Sequence, residues 1–135
     1  MLTIWGNAHC SCVQKVMWAV GELGLAYRRI DLGGSFGGLG EPDYVRLNPN
    51  RVIPTIDDDG FVLWESAAIL QYLAAKHGFG TLYPSDLRAR GEGYRWIMWQ
   101  GNVLRPAIMP LYLPWQVWRP EYRHLDELEG HRLRM

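Results

Sequence analysis

Apolar residues recur along the first half of the chain with the two-residue period of strands and the 3.6-residue period of helices. Leu2-Thr3-Ile4-Trp5 is short and apolar enough for a strand inside a sheet. Val13, Val16, Met17 and Val20 then fall at i, i+3, i+4 and i+7, with Gln14, Lys15 and Glu22 off that stripe, which predicts a helix from about Ser11 to Leu23. Gly24 stops it, and Tyr27 to Leu32 (YRRIDL) predicts a second strand. A strand, a helix and a strand in this span imply a parallel pair with a right-handed crossover. Pro42 to Leu47 predicts a short, irregular helix, broken by Asn48-Pro49-Asn50.

Thr55-Ile56 and Phe61-Val62-Leu63 flank Asp57-Asp58-Asp59-Gly60, a hairpin signal with the four acidic and glycine residues as the turn. Glu65-Ser66 opens the next helix, whose apolar face is Ile69, Leu70 and Leu73. Lys76, His77 and Gly78 close it with cations and a C-cap glycine. The element order is βαβαββα, an α/β domain. Beyond it, Phe79 to Ser85 is a linker punctuated by glycine and proline, and Asp86 is placed to cap a long helix reaching toward Leu104. Pro106, Pro110 and Pro114 predict a kinked or broken segment, and Glu121 to Leu133 one more polar helix.

Composition narrows the function classes. The chain has 135 residues, 48% of them hydrophobic, enough for one domain with a real core but not for two full ones. A formal net charge of zero argues against a nucleic-acid partner held through phosphates. No apolar run has the length needed to cross a bilayer, and Met1 to Cys12 lacks the pattern of a secretory signal. The two cysteines, Cys10 and Cys12, lie too close for an ordinary fold-stapling disulfide, so a reducing cytoplasm is the expected setting. Several of the seven tryptophans fall after residue 90, where helices are expected to bury them. Gly33 to Gly40 (GGSFGGLG) fits neither GxxxxGK[ST] nor GxGxxG between strand and helix, and reads as a mobile surface loop.

Two helix starts carry the candidate chemistry. At Glu65-Ser66, free helix N–H groups and a hydroxyl suit a carboxylate, and the glutamate suits an ammonium; taken alone, the pair is ordinary capping. At Cys10-Ser11, unpaired N–H groups favour an anionic sulfur and should lower the Cys10 pKa, which makes Cys10 the candidate, with an inert small hydrophobe as the lesser alternative. Ser11 could supply the working hydroxyl or simply cap the helix. Cys12 reads as packing on the first turn, because Cys-x-Cys lacks the spacing of a thioredoxin-type pair. His9, Cys10 and Cys12 make a weak metal set with no second Cys/His pair, so no metal is expected.

Two stretches, Gly6 to Trp18 (GNAHCSCVQKVMW) and Arg51 to His77 (RVIPTIDDDGFVLWESAAILQYLAAKH), resemble the N-terminal, thioredoxin-like domain of the glutathione transferase superfamily, in its bacterial type. The resemblance implies a thioredoxin-like glutathione-binding domain at residues 1–78, a linker at 79–85 and an incomplete all-helical C-terminal domain at 86–135, as in a truncated family member. It implies a cis bond before Pro54, Ile53 pairing its backbone with the cysteinyl part of glutathione, and Glu65 and Ser66 holding the γ-glutamyl end. Arg51 and Asn50, beside the proline loop, could reach the glycine carboxylate. Cys10 falls where the family's pattern has a catalytic serine and Cys12 where it has an asparagine, with Val13 to Val16 shared. Cys10 followed by Ser11 also matches the cysteine of beta-class members.

Glutathione is thus the implied co-substrate, with small electrophiles as partners, a role in detoxification and a possible homodimer. Three readings stay open: a glutathione transferase, a glutathione-dependent thiol–disulfide exchanger working through Cys10, and a non-catalytic thioredoxin-like binding domain.

Overall fold

The computed structural model describes residues 1–116. Four strands form one mixed sheet in the order β2-β1-β3-β4. Strand β1 (Leu2–Trp5) pairs in parallel with β2 (Tyr27–Ile30) and antiparallel with β3 (Thr55–Asp58), which pairs antiparallel with β4 (Phe61–Trp64). The crossover between β1 and β2 is helix α1 (Ser11–Glu22); α2 (Pro42–Leu47) precedes β3, and α3 (Ser66–His77) follows β4.

Leu2 and Ile4 from β1, Ile56 from β3, Val16 and Val20 from α1, and Ile69 and Leu73 from α3 form one buried cluster. Both longer helices therefore lie on the same face of the sheet. Each fully buried aliphatic side chain of this kind contributes roughly 1.5–3 kcal/mol relative to its exposed state. The first helix ends at Glu22, one residue short of the sequence reading, because Leu23 is its C-cap and Gly24 turns left-handed at φ 61°.

Two boundaries differ from expectation for a reason that bears on function. The β3–β4 hairpin turns on two residues, Asp59 and Gly60 (φ 52° and 92°), rather than four. Asp-Gly satisfies the two positive φ angles such a turn requires, so Asp57 and Asp58 stay in the ladder. Strand β2 stops at Ile30, since the carbonyls of Leu32 and Gly33 are taken by the Asn7 side chain instead of a neighbouring strand. The glycine-rich surface stretch closes on itself: Gly33 donates to the Gly37 carbonyl at 2.8 Å around a single 3-10 turn, Gly34–Phe36.

The described residues divide into two compact units, parted between Leu87 and Arg88. In the second, α4 (Leu87–Trp99) runs into a widened π-helical turn, Gln100–Leu104, and then α5 (Arg105–Gln116). Of the kink or break expected at Pro106, Pro110 and Pro114, the break is not found, since α5 runs on through all three. Pro106 stands two residues after the widened turn, so the carbonyl four residues back, which a proline ring would crowd and leave without its helical N–H, is that of Asn102 inside the turn. Trp96 and Trp99 meet edge to face at 5.6 Å but are 58% and 42% exposed, so these two are not buried as expected. The polar helix expected over 121–133 lies outside the described residues. No helix among the described residues is long and apolar enough to cross a membrane.

Candidate functional site

Sheet register brings the candidate residues to one edge. Trp5 pairs with Ile30 on one side and Thr55 on the other, and Thr55 pairs with Trp64. The chain leaves the sheet after Trp5, Ile30 and Trp64 and enters it at Thr55. The Gly6–Cys10 turn, Leu32–Gly33, the loop ending in Pro54 and the Glu65–Ser66 step therefore share the same end of the sheet.

Asn7, which sequence reasoning passed over, builds the turn before α1. It is 8% exposed; its Oδ1 accepts from the backbone N–H of His9 (3.0 Å) and Cys10 (3.1 Å), and its Nδ2 donates to the carbonyls of Leu32 (3.3 Å) and Gly33 (3.1 Å). An asparagine two and three residues before the N–H groups it binds is an Asx-turn signal that the sequence did carry. Gly6 is obligatory beside it, because a Cβ there would stand 2.5 Å from Val13 Cγ2.

Cys10 is the N-cap residue of α1, with extended backbone and a half-buried side chain. The first helical bond runs from Gln14 N–H to the Cys10 carbonyl at 2.9 Å, so the N–H groups of Ser11, Cys12 and Val13 have no partner within the helix. Those of Cys12 and Val13 lie toward the Cys10 sulfur without forming a cap hydrogen bond to it, and pull its pKa down. They are outweighed. A hydrogen bond with the Cys12 thiol, reinforced by burial, pushes the Cys10 thiol well above the ordinary cysteine range. The direction is opposite to the lowering expected from the helix end alone, and Cys12, on the first turn, is the neighbour responsible. Ser11 is the first helical residue and is exposed.

The Ile53–Pro54 peptide is cis. Its loop is held by a buried polar clamp in which Asn48, wholly buried, is central. Asn48 Nδ2 donates to the Val52 carbonyl (2.9 Å) and the Thr55 hydroxyl (3.1 Å), while its Oδ1 accepts from Asn50 N–H (3.0 Å). The Tyr44 hydroxyl donates to the same Val52 carbonyl (2.5 Å), leaving the Thr55 hydroxyl to donate to the Tyr44 oxygen at 2.9 Å. Burial raises the Tyr44 pKa, against a smaller opposing pull from Thr55 and Asn48. Asn48 therefore does far more than break a helix. Ile53 packs against Gly33, where a Cβ would stand 3.1 Å from Ile53 Cδ1. Arg51, exposed and left-handed at φ 56°, donates its N–H to the Asn48 carbonyl.

At α3 the first helical bond is Ile69 N–H to the Glu65 carbonyl (2.9 Å), which leaves the N–H groups of Ser66, Ala67 and Ala68 without helical partners. No side chain caps this end, so the ordinary capping reading of Glu65-Ser66 does not hold. Ser66 is 8% exposed. Glu65 is exposed, with φ 73° and ψ 110°, a conformation costing a non-glycine residue about 1–3 kcal/mol. The edge thus presents two uncapped helix N-termini, one beside a sulfur and one beside a hydroxyl and a carboxylate. Such ends attract anionic groups, and the exposed Glu65 carboxylate attracts a cation.

Residues 9–76 match the family model described as glutathione S-transferase, N-terminal domain. Glutathione S-transferase GstB of Escherichia coli K12 is 37% identical over 109 residues, covering 79% of this chain and 52% of that protein. Glutathione S-transferase D7 of Anopheles gambiae is 41% identical over 75 residues, covering 55% of this chain and 34% of that one. Among solved structures, the theta class glutathione S-transferase from Xanthomonas axonopodis pv. citri, with glutathione bound, superposes with a TM-score of 0.84 at 42% identity, over 90% of this chain and 58% of that chain. The chain spans about half the length of the curated GstB sequence it matches.

Proposed function

Since the chain belongs to the glutathione S-transferase family, through the thioredoxin-like N-terminal domain of that family, we propose that it binds glutathione and promotes attack of the glutathione thiolate on small electrophiles. The observation that carries this reading is the register Trp5–Thr55–Trp64, which gathers both uncapped helix ends and the proline loop at one edge.

In this reading the γ-glutamyl carboxylate lies on the N–H groups of Ser66, Ala67 and Ala68 with the Ser66 hydroxyl, and its ammonium on Glu65. The backbone of Ile53 pairs with the cysteinyl unit, and Arg51 takes the glycine carboxylate. The glutathione sulfur sits at the start of α1, where the helix end favours its anionic form. With the Cys10 pKa raised by its hydrogen bond with Cys12 and by burial, Cys10 serves there as a donor to the thiolate, turning its S–H from Cys12 to the bound sulfur in the manner of a hydroxyl, with Ser11 as the neighbouring alternative. The thiolate then displaces a leaving group from the electrophile, forming a thioether and releasing the anion.

The second reading, exchange of mixed disulfides through Cys10, is supported by the half-exposed sulfur on the N-cap of α1. Turnover of an aromatic halide against turnover of a mixed disulfide of glutathione divides the two. Conjugation that exceeds exchange is the expected result; exchange without conjugation replaces the first reading by the second.

A further inference from the structure

Cys10 and Cys12 are the only two cysteines of the chain, and their thiols lie within hydrogen-bonding reach of each other. Both are partly exposed. Ser11 between them is already helical, which sets their Cα atoms about 5.4 Å apart by α-helix geometry. That separation lies inside the range of about 4.4–6.8 Å that a disulfide spans. Within a helix, side chains two residues apart point to opposite sides. Here Cys10 escapes that restriction, because its backbone is extended (φ −79°, ψ 119°) and its side chain folds back over the first turn.

We propose that Cys10 and Cys12 form a dithiol–disulfide couple that exchanges with glutathione disulfide, and that its oxidised form withdraws the thiol donor from the start of α1. One thiolate of the pair attacks a sulfur of glutathione disulfide. An S–S bond forms to the protein, the old S–S bond breaks, and the electron pair leaves on one glutathione thiolate, which takes up a proton. The second protein sulfur, after losing its proton, attacks the protein-bound sulfur of this adduct. The intrachain bond forms and a second glutathione leaves. Two protein thiols are oxidised as one glutathione disulfide is reduced to two glutathione molecules. The ring closed by a Cys-x-Cys bond is small, so two molecules of glutathione reopen it readily; strained, exposed disulfides are the labile ones. The helix N–H groups of Cys12 and Val13, aimed at Cys10, stabilise the thiolate that this return step releases.

The consequence for conjugation rests on the reading that glutathione docks at this edge; the couple itself does not. Reduced full-length protein is treated with glutathione disulfide, quenched in acid, alkylated and weighed intact. The parent is expected to be lighter by two hydrogens, with no alkylated cysteine and no glutathionyl group, while Cys10→Ser and Cys12→Ser each stop at a glutathionyl adduct. A parent that keeps a glutathionyl adduct beside an alkylated cysteine, or has both cysteines alkylated, overturns the proposal. Calorimetric titration of the reduced protein with glutathione separates the two claims. Absent binding with an intact couple removes the docking reading alone, and normal binding without the intrachain bond removes the couple alone.

Discussion

Asn48 Nδ2 stands 3.1 Å from the Thr55 hydroxyl, and both side chains are wholly buried. That contact fastens the end of α2 to the start of β3, across the loop that carries Arg51, Ile53 and Pro54. Replacing Asn48 by Ala leaves the Thr55 hydroxyl with Tyr44 alone, the Val52 carbonyl with one donor instead of two, and the Asn50 N–H without its side-chain acceptor. The expected loss of stability is about 2–4 kcal/mol, the cost of unmaking three side-chain hydrogen bonds. Denaturant unfolding of the variant against the parent measures it, and a loss below about 1 kcal/mol would mean that water replaces the clamp.

Glu65 holds a strained backbone that a glycine would adopt freely. Glu65→Gly is therefore expected to stabilise the fold by about 1 kcal/mol while weakening retention on immobilised glutathione. Glu65→Ala should weaken retention without that gain. If the glycine variant is no more stable than the alanine variant, the angle at Glu65 costs nothing and the trade between stability and binding is absent.

Asp58 accepts hydrogen bonds from the Tyr72 hydroxyl (2.7 Å) and the Lys76 ammonium (2.6 Å), linking β3 to α3. Lys76 first, then Tyr72, holds the Asp58 carboxyl below the usual carboxylate range. A lowered folded pKa gives stability that is complete above the unfolded value near 3.9 and is lost as pH falls through the folded value. Asp58, first among their causes, raises both Lys76 and Tyr72, so their share is complete below their ordinary values and lost as pH rises through the raised ones. Urea midpoints of parent and Asp58→Asn are expected to differ most across the neutral range and to converge in acid. A gap that persists below the acid transition would assign it to packing.

Cys10 acts in this account as a donor, so its replacements should rank by donor strength. Cys10→Ser keeps or raises turnover of an aromatic halide, whereas Cys10→Ala lowers kcat/KM by roughly tenfold to a hundredfold, one hydrogen bond to a charged group. Equal activity of the serine and alanine variants would pass the role to Ser11.

The apolar spacing of Val13, Val16 and Val20 and the Asp59-Gly60 turn made the βαβαββα order legible, because helix stripes and hairpin turns are local in sequence. Long-range satisfaction was not. Nothing near Asn7 shows that its amide will meet carbonyls of Leu32 and Gly33, and nothing near Asn48 announces a buried bond to Thr55. Cys10 misled for a related reason: a helix end lowers a thiol pKa, but the opposing contact with Cys12 depends on a backbone angle that spacing does not reveal. The helix through Pro106 escaped because a widened turn compensates a residue that normally ends one.

The central claim is that one glutathione molecule spans the starts of α1 and α3. Amide NMR shifts recorded while reduced glutathione is added test it most directly. The account predicts that Cys12 and Val13 move together with Ser66, Ala67 and Ala68, along one saturating curve. Shifts confined to one helix start, or none at either, would contradict it.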